Sequence, residues 1–147
     1  MSIPTYTETL LAAKAAKNLT FEQLGKEVGR DKTWVATCIM GQASATKADA
    51  EKLVKVLGVS LEIMPQLMEC RMKGAVTQPV PLDPLIYRLY ELVMVHGPAI
   101  KAVIHEMFGD GIMSAIDFSM DIKKQEDPRG DRVVVTLNGK FLPYKQW

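Results

Sequence analysis

Apolar residues in the first half of the chain recur with the 3.6-residue period of helices, and the polar residues between them supply starts and stops. Residues around Thr7 to Lys17 read as a first amphipathic helix that stops near Asn18. Thr20 opens a second, with Gln23 completing a capping box, Leu24 and Val28 one turn apart, and Gly29 at the end. Asp31 caps a third, whose Trp34, Val35, Cys38 and Ile39 make one apolar face, and Gly41 follows it. Thr46 begins a fourth that turns Ala50, Leu53, Val54 and Leu57 inward and closes at Gly58. Ser60 starts a short fifth, which Pro65 limits or bends.

From Arg71 to Pro81 the period disappears, and Gly74, Pro79 and Pro81 mark a linker between residues 1–75 and 76–147. Asp83 and Pro84 then pair as N-cap and first helical residue of a helix to about His96, ended by Gly97. Pro98 starts another, to about Phe108. After Gly109-Asp110-Gly111 and Ser114 the period changes to two. Phe118, Met120 and Ile122 alternate with polar residues, as do Val133, Val135 and Leu137 beyond the link from Gln125 to Gly130. Asn138-Gly139 offers a type I′ turn into Lys140, Phe141 and Leu142.

These elements make an α+β chain: an N-terminal five-helix bundle of the repressor, helix-turn-helix type, then helices with short β-strands. Each half is near or below the roughly 70–80 residues at which a single core becomes marginal. Two or three short strands are not stable without a covering layer. The apolar strand faces therefore need a partner surface. The second half is expected to serve as an intersubunit dimerisation domain in an obligate oligomer.

Composition narrows the class. No apolar run approaches the roughly 20 residues that cross a bilayer, so no membrane partner is expected. The N-terminus lacks a basic segment followed by an apolar stretch, which predicts a cytoplasmic protein with Cys38 and Cys70 buried and reduced. A formal net charge of +1 gives no drive toward nucleic acid. Reading bases takes Arg, Lys, Asn or Gln near the start of the second helix of a helix-turn-helix, and between Asp31 and Gly41 only Lys32 is well placed. DNA is thus not expected as a partner, and the bundle reads as a scaffold. A DNA-binding transcription regulator, with the second half as effector or dimerisation domain, stays open as the alternative.

For chemistry, Arg88 and Glu91 stand three residues apart on one helix face, flanked by Tyr87 and Tyr90. The plain reading of that spacing is a surface ion pair of about 0.2–0.5 kcal/mol. Ser114 follows a glycine-flanked loop whose backbone N–H groups can face an anion, although a lone serine near glycines is usually a turn residue. His96 and His105 are the only histidines, and neither stands in a metal-ligand motif or pairs with Ser114 as a hydrolase base. Spacing alone yields a possible site for a small anion, made of a guanidinium, a carboxylate and a hydroxyl.

The wording of the segments goes further. DPLIYRLYELVMVHGPAIKAVIHEMFGDGIMSAIDFSMDIKK, with the ending LNGKFLPYKQW, closely resembles the cyanate hydratase (cyanase) family, and WVATCIMGQASAT after GRDK is similar to its helical domain. The resemblance covers nearly the whole chain. It implies a lyase that joins cyanate and bicarbonate into carbon dioxide and carbamate, the carbamate decaying to ammonia and more carbon dioxide. It also implies catalytic Arg88, Glu91 and Ser114, no metal or organic cofactor, bicarbonate as co-substrate, and a homodecamer built as a pentamer of dimers with sites between subunits. Where a tyrosine is common in the family, this chain has His96, outside the three-residue motif.

Overall fold

The computed structural model describes residues 4–71 and 80–146, so the linker expected from Arg71 to Pro81 lies mostly outside the described residues. The chain divides into two compact units, Met1–Thr77 and Gln78–Trp147. Together they make an α+β protein: among the described residues, six α-helices and one two-stranded antiparallel sheet.

In the first unit the helices are α1 (Thr5–Ala16), α2 (Phe21–Val28), α3 (Lys32–Ile39), α4 (Lys47–Leu57) and α5 (Met64–Met68), with one 3₁₀ turn at Leu61–Ile63. Their ends follow the polar punctuation. Thr20 and Gln23 form the capping box of α2, Asp31 accepts from the Thr33 amide at the start of α3, and Thr46 accepts from the Asp49 amide at the start of α4. Gly29 and Gly58 adopt the left-handed conformation that stops α2 and α4. Pro65 does not limit the fifth helix but occupies its first turn, where a missing N–H costs nothing; Ser60 caps the 3₁₀ turn before it.

The core of this unit is the set of side chains that the helical period turns inward. Leu10, Leu24, Val28, Val35, Cys38, Ile39, Ala50, Leu53, Val54, Leu57 and Leu67 are all buried. Thr7 ties α1 to α3 by donating its hydroxyl to the Ile39 carbonyl at 2.6 Å. Arg30 and Asp49 tie the end of α2 to α4 through an ion pair at 2.9 Å, with Asp49 buried and Arg30 half exposed. Burial pushes the Cys38 thiol up to about 11, with the Asp49 carboxylate adding to the rise. Cys70 departs from expectation: it lies past α5, beyond the last core contact at Leu67, and is exposed; both thiols are free.

The second unit holds α6 (Pro84–Phe108), β1 (Gly111–Gln125) and β2 (Arg132–Pro143). Three expectations are corrected here. The strands are not short: β1 runs 15 residues and β2 12, because the chain continues pairing through Asn138-Gly139. Gly97-Pro98 does not break the helix; α6 runs through Pro98 as one 25-residue element. Proline disfavours helical backbone in the preceding residue partly through that residue's Cβ, and Gly97 has none, which eases the strain while the Pro98 hydrogen bond is still forfeited. Nor does Asn138-Gly139 form a turn. Both residues lie inside β2, paired with Ser119 and Phe118. The hairpin connection is instead the polar link, where the Asp127 carboxylate accepts from the Arg129 amide and the Arg132 guanidinium, and Gly130 takes φ +121°.

No residue of α6 is buried, although the helix is rich in Leu, Ile, Val and Met. Ile122, Val135 and Leu137 on the sheet are also exposed. Cross-strand pairing of Met120 with Leu137 and of Ile122 with Val135 gathers these apolar residues on one sheet face.

Candidate active site

Asp83 sets the first turn of α6 by accepting from the Leu85 and Ile86 amides at 3.0 Å. Arg88 and Glu91 follow one turn later on the same side, and a guanidinium Nη1 donates to Glu91 Oε2. The arginine side chain is 69% exposed and the glutamate 36%, so the pair adds little stability. Its geometric effect is larger. Glu91 holds one corner of the planar fork, and most of the five N–H donors remain for a ligand. Tyr87 and Tyr90 lie beside it with ring centroids 6.4 Å apart.

Ser114 lies within β1 rather than in an open loop. It begins a wide bulge in β1. Met113 pairs with Phe141 and Phe118 with Gly139, so the four residues Ser114–Asp117 face the single residue Lys140. The serine is 5% exposed, and its Oγ accepts from the amides of Ile116 at 3.1 Å and Asp117 at 2.9 Å. Those two bonds occupy both lone pairs of the hydroxyl and leave its hydrogen to donate. A hydroxyl so arranged can donate to an anion. His105 is turned to another partner, its Nε2 lying 3.2 Å from the Gly111 carbonyl.

Within one chain the three residues fall into two groups. Arg88 and Glu91 are joined on α6, and Ser114 is held by its own strand. An apolar cleft of about 410 Å³ beside the bulge is lined by Ile104, Phe108, Met113, Gly139 and Phe141, with Phe108 stacked on Phe141 at 5.1 Å. A hollow of similar size, about 420 Å³, lies in the other unit around Lys26, Arg30, Asp31 and Lys32 and contains none of the three. Among the described residues no three His, Cys, Asp or Glu side chains are grouped to hold a metal ion. His96 is exposed on α6.

Comparison with known proteins identifies the chain over its full length. The family model described as cyanate hydratase, N-terminal, matches residues 4–69, and that described as cyanate lyase C-terminal domain matches residues 78–146. The cyanate hydratase of Acaryochloris marina is 56% identical over 147 residues, covering 100% of both chains. The chain belongs to the cyanate hydratase family. The cyanate hydratase of Synechocystis sp. is 55% identical, covering 99% of this chain and 97% of its own. The crystal structure of cyanase from T. urticae superposes with a TM-score of 0.86 at 37% identity, covering 95% of this chain and 97% of that one. Because cyanate hydratase similarity runs through both units, the transcription-regulator alternative is not favoured. No helix among the described residues is long and apolar enough to cross a membrane.

One feature beside Ser114 escapes the residue pattern. Gly139 reads as half of an Asn-Gly turn, yet it lies inside β2 at the edge of the Ser114 bulge, paired with Phe118. The available signal was a glycine inside an apolar strand run, which marks a bulge or a close backbone approach as readily as a turn.

Proposed function

We propose that this chain is a lyase that decomposes cyanate with bicarbonate, giving carbamate and carbon dioxide, and that Arg88, Glu91 and Ser114 carry the reaction without a metal or organic cofactor. Full-length similarity to cyanate hydratases is the observation that carries the activity. The fork of Arg88 and the donor-only hydroxyl of Ser114 support the roles.

Both reactants are anions, and two unit charges 4 Å apart repel by about 4 kcal/mol at an effective dielectric of 20. Arg88 offsets that repulsion and presents paired N–H donors to carboxylate-like oxygens. Ser114 donates to the second anion. Bicarbonate oxygen then bonds to the cyanate carbon, and the bicarbonate proton passes to the cyanate nitrogen, giving a mixed carbamate–carbonate dianion. Breaking the bond between the former bicarbonate carbon and the bridging oxygen releases carbon dioxide, and one proton from solvent completes the carbamate. Carbamate takes up another proton and falls apart to ammonia and carbon dioxide. Glu91 orients the guanidinium and relays a proton toward the nitrogen. Most of the acceleration comes from positioning and fixed electrostatics.

The exposed apolar surface of α6 and the hairpin supports a site shared between copies of the chain in a homodecamer of five dimers. The second unit acts as the dimerisation domain. In the first unit, α2 and α3 form a helix-turn-helix pair that serves as scaffold rather than DNA reader. Arg30, the arginine nearest the start of α3, is engaged by Asp49 and lies over the Trp34 ring at 5.2 Å. The test is ammonia release from cyanate with and without bicarbonate. Release that needs bicarbonate, survives a chelator and is competed by oxalate agrees with the proposal; bicarbonate-independent release or none overturns it.

A further inference from the structure

The Ser114 bulge has a second component, on the opposite strand. Bulges re-aim side chains only when the partner strand accommodates the extra backbone. Here four residues of β1 crowd against one of β2, and the residue at the crowded end is Gly139. A Cβ added there would run into the Ser114 carbonyl oxygen and would stand 2.6 Å from Met113 Cγ and 3.3 Å from Met113 Sδ. Gly139 is not among the residues with a left-handed φ, so ordinary strand backbone does not call for glycine here. The close approach does. The methionine is flexible and can move aside; the Ser114 carbonyl belongs to the backbone that carries the hydroxyl.

We infer that Gly139 is a positioning residue for Ser114: its missing side chain lets β2 close on the bulge, and that closure sets where the Ser114 hydroxyl donates. This rests on the reading of Ser114 as a site residue. Any larger residue at 139 pushes the Ser114 carbonyl away and turns the hydroxyl, whose lone pairs are tied to Ile116 and Asp117. A displacement near 1 Å lowers turnover by about 100-fold.

The experiment is a double-mutant cycle of Gly139→Ala and Ser114→Ala, read as kcat and KM for cyanate and bicarbonate, with assembly followed by sedimentation. The expected result is a large loss of kcat in Gly139→Ala, a comparable loss in Ser114→Ala, and no further loss in the double variant, because one acts through the other. Losses that multiply overturn the inference and leave the role of Ser114 standing. Full activity in Ser114→Ala overturns the reading of the serine itself. If Gly139→Ala does not assemble, the cycle is repeated in a Met113→Ala background, which removes the side-chain obstacle and keeps the carbonyl one. Recovery of normal kcat in Met113→Ala/Gly139→Ala shows that the methionine contact was responsible, and failure of that variant to assemble assigns Gly139 to folding alone; either overturns the inference.

Discussion

The Ser114 hydroxyl oxygen lies 2.9 Å from the Asp117 amide nitrogen and accepts its hydrogen, so the side chain proposed to bind substrate also closes the bulge that carries it. Ser114→Ala therefore has two separable effects. Losing one preorganised donor lowers kcat/KM by about 10²–10³-fold. Losing the acceptor frees the Ile116 and Asp117 amides, which exchange faster with solvent deuterium while the oligomer remains intact by sedimentation. Wild-type turnover in this variant would remove the serine from the site.

Arg88→Lys keeps the charge and discards the fork. Were charge neutralisation sufficient, lysine would serve; if the paired N–H geometry matters, activity falls by about 100-fold or more. Glu91→Gln keeps an acceptor for Arg88 and discards the carboxylate. Its kcat falls, because the carboxylate relays a proton toward the cyanate nitrogen; a nearly unchanged kcat would reduce Glu91 to orienting the guanidinium. Steady-state kinetics with both substrates varied tells the two apart.

The helical unit was legible because its signals are local. Thr20, Asp31 and Thr46 cap helices from their own sequence neighbourhood, and Leu24, Val28, Leu53 and Val54 bury themselves within the same unit. The pairing of Arg88 with Glu91 on one helix face was legible for the same reason. Gly97-Pro98 and Asn138-Gly139 were misread because each dipeptide has a local meaning that its surroundings override. A helix absorbs one lost hydrogen bond, and a strand needs a glycine wherever the opposite backbone crowds it. The wide bulge at Ser114 depends on pairing between strands, which no local pattern of β1 encodes.

An unburied apolar helix makes its own prediction. Leu89 and Val93 lie one turn apart on α6, 49% and 64% exposed in the single chain. Replacing either with aspartate places a charge on a surface proposed to be covered by another copy, where an unpaired buried charge costs several kcal/mol. The expected result is a smaller species in sedimentation velocity and loss of activity in the same fractions. Full-size, active oligomers of both variants would mean that this stripe faces solvent.

Acid should loosen the first unit through Asp49. Its hydrogen bond from Arg30 holds the carboxyl below the ordinary 3.8, helped by Thr46 and opposed by desolvation. A depressed folded-state pKa stabilises fully above the unfolded value, and that contribution is lost as pH falls through the folded one. Asp49→Asn, nearly the same shape but uncharged, removes it at every pH. At neutral pH the variant should be less stable by about 1–3 kcal/mol, the scale of a charged hydrogen bond. As pH falls through that depressed folded-state value the wild-type carboxyl protonates, and the two unfolding midpoints should converge. Both are measured by denaturant unfolding at one fixed protein concentration, because assembly shifts apparent stability. Midpoints that stay equally far apart as pH falls through the folded-state value would show that the Arg30–Asp49 pair stabilises through packing rather than charge.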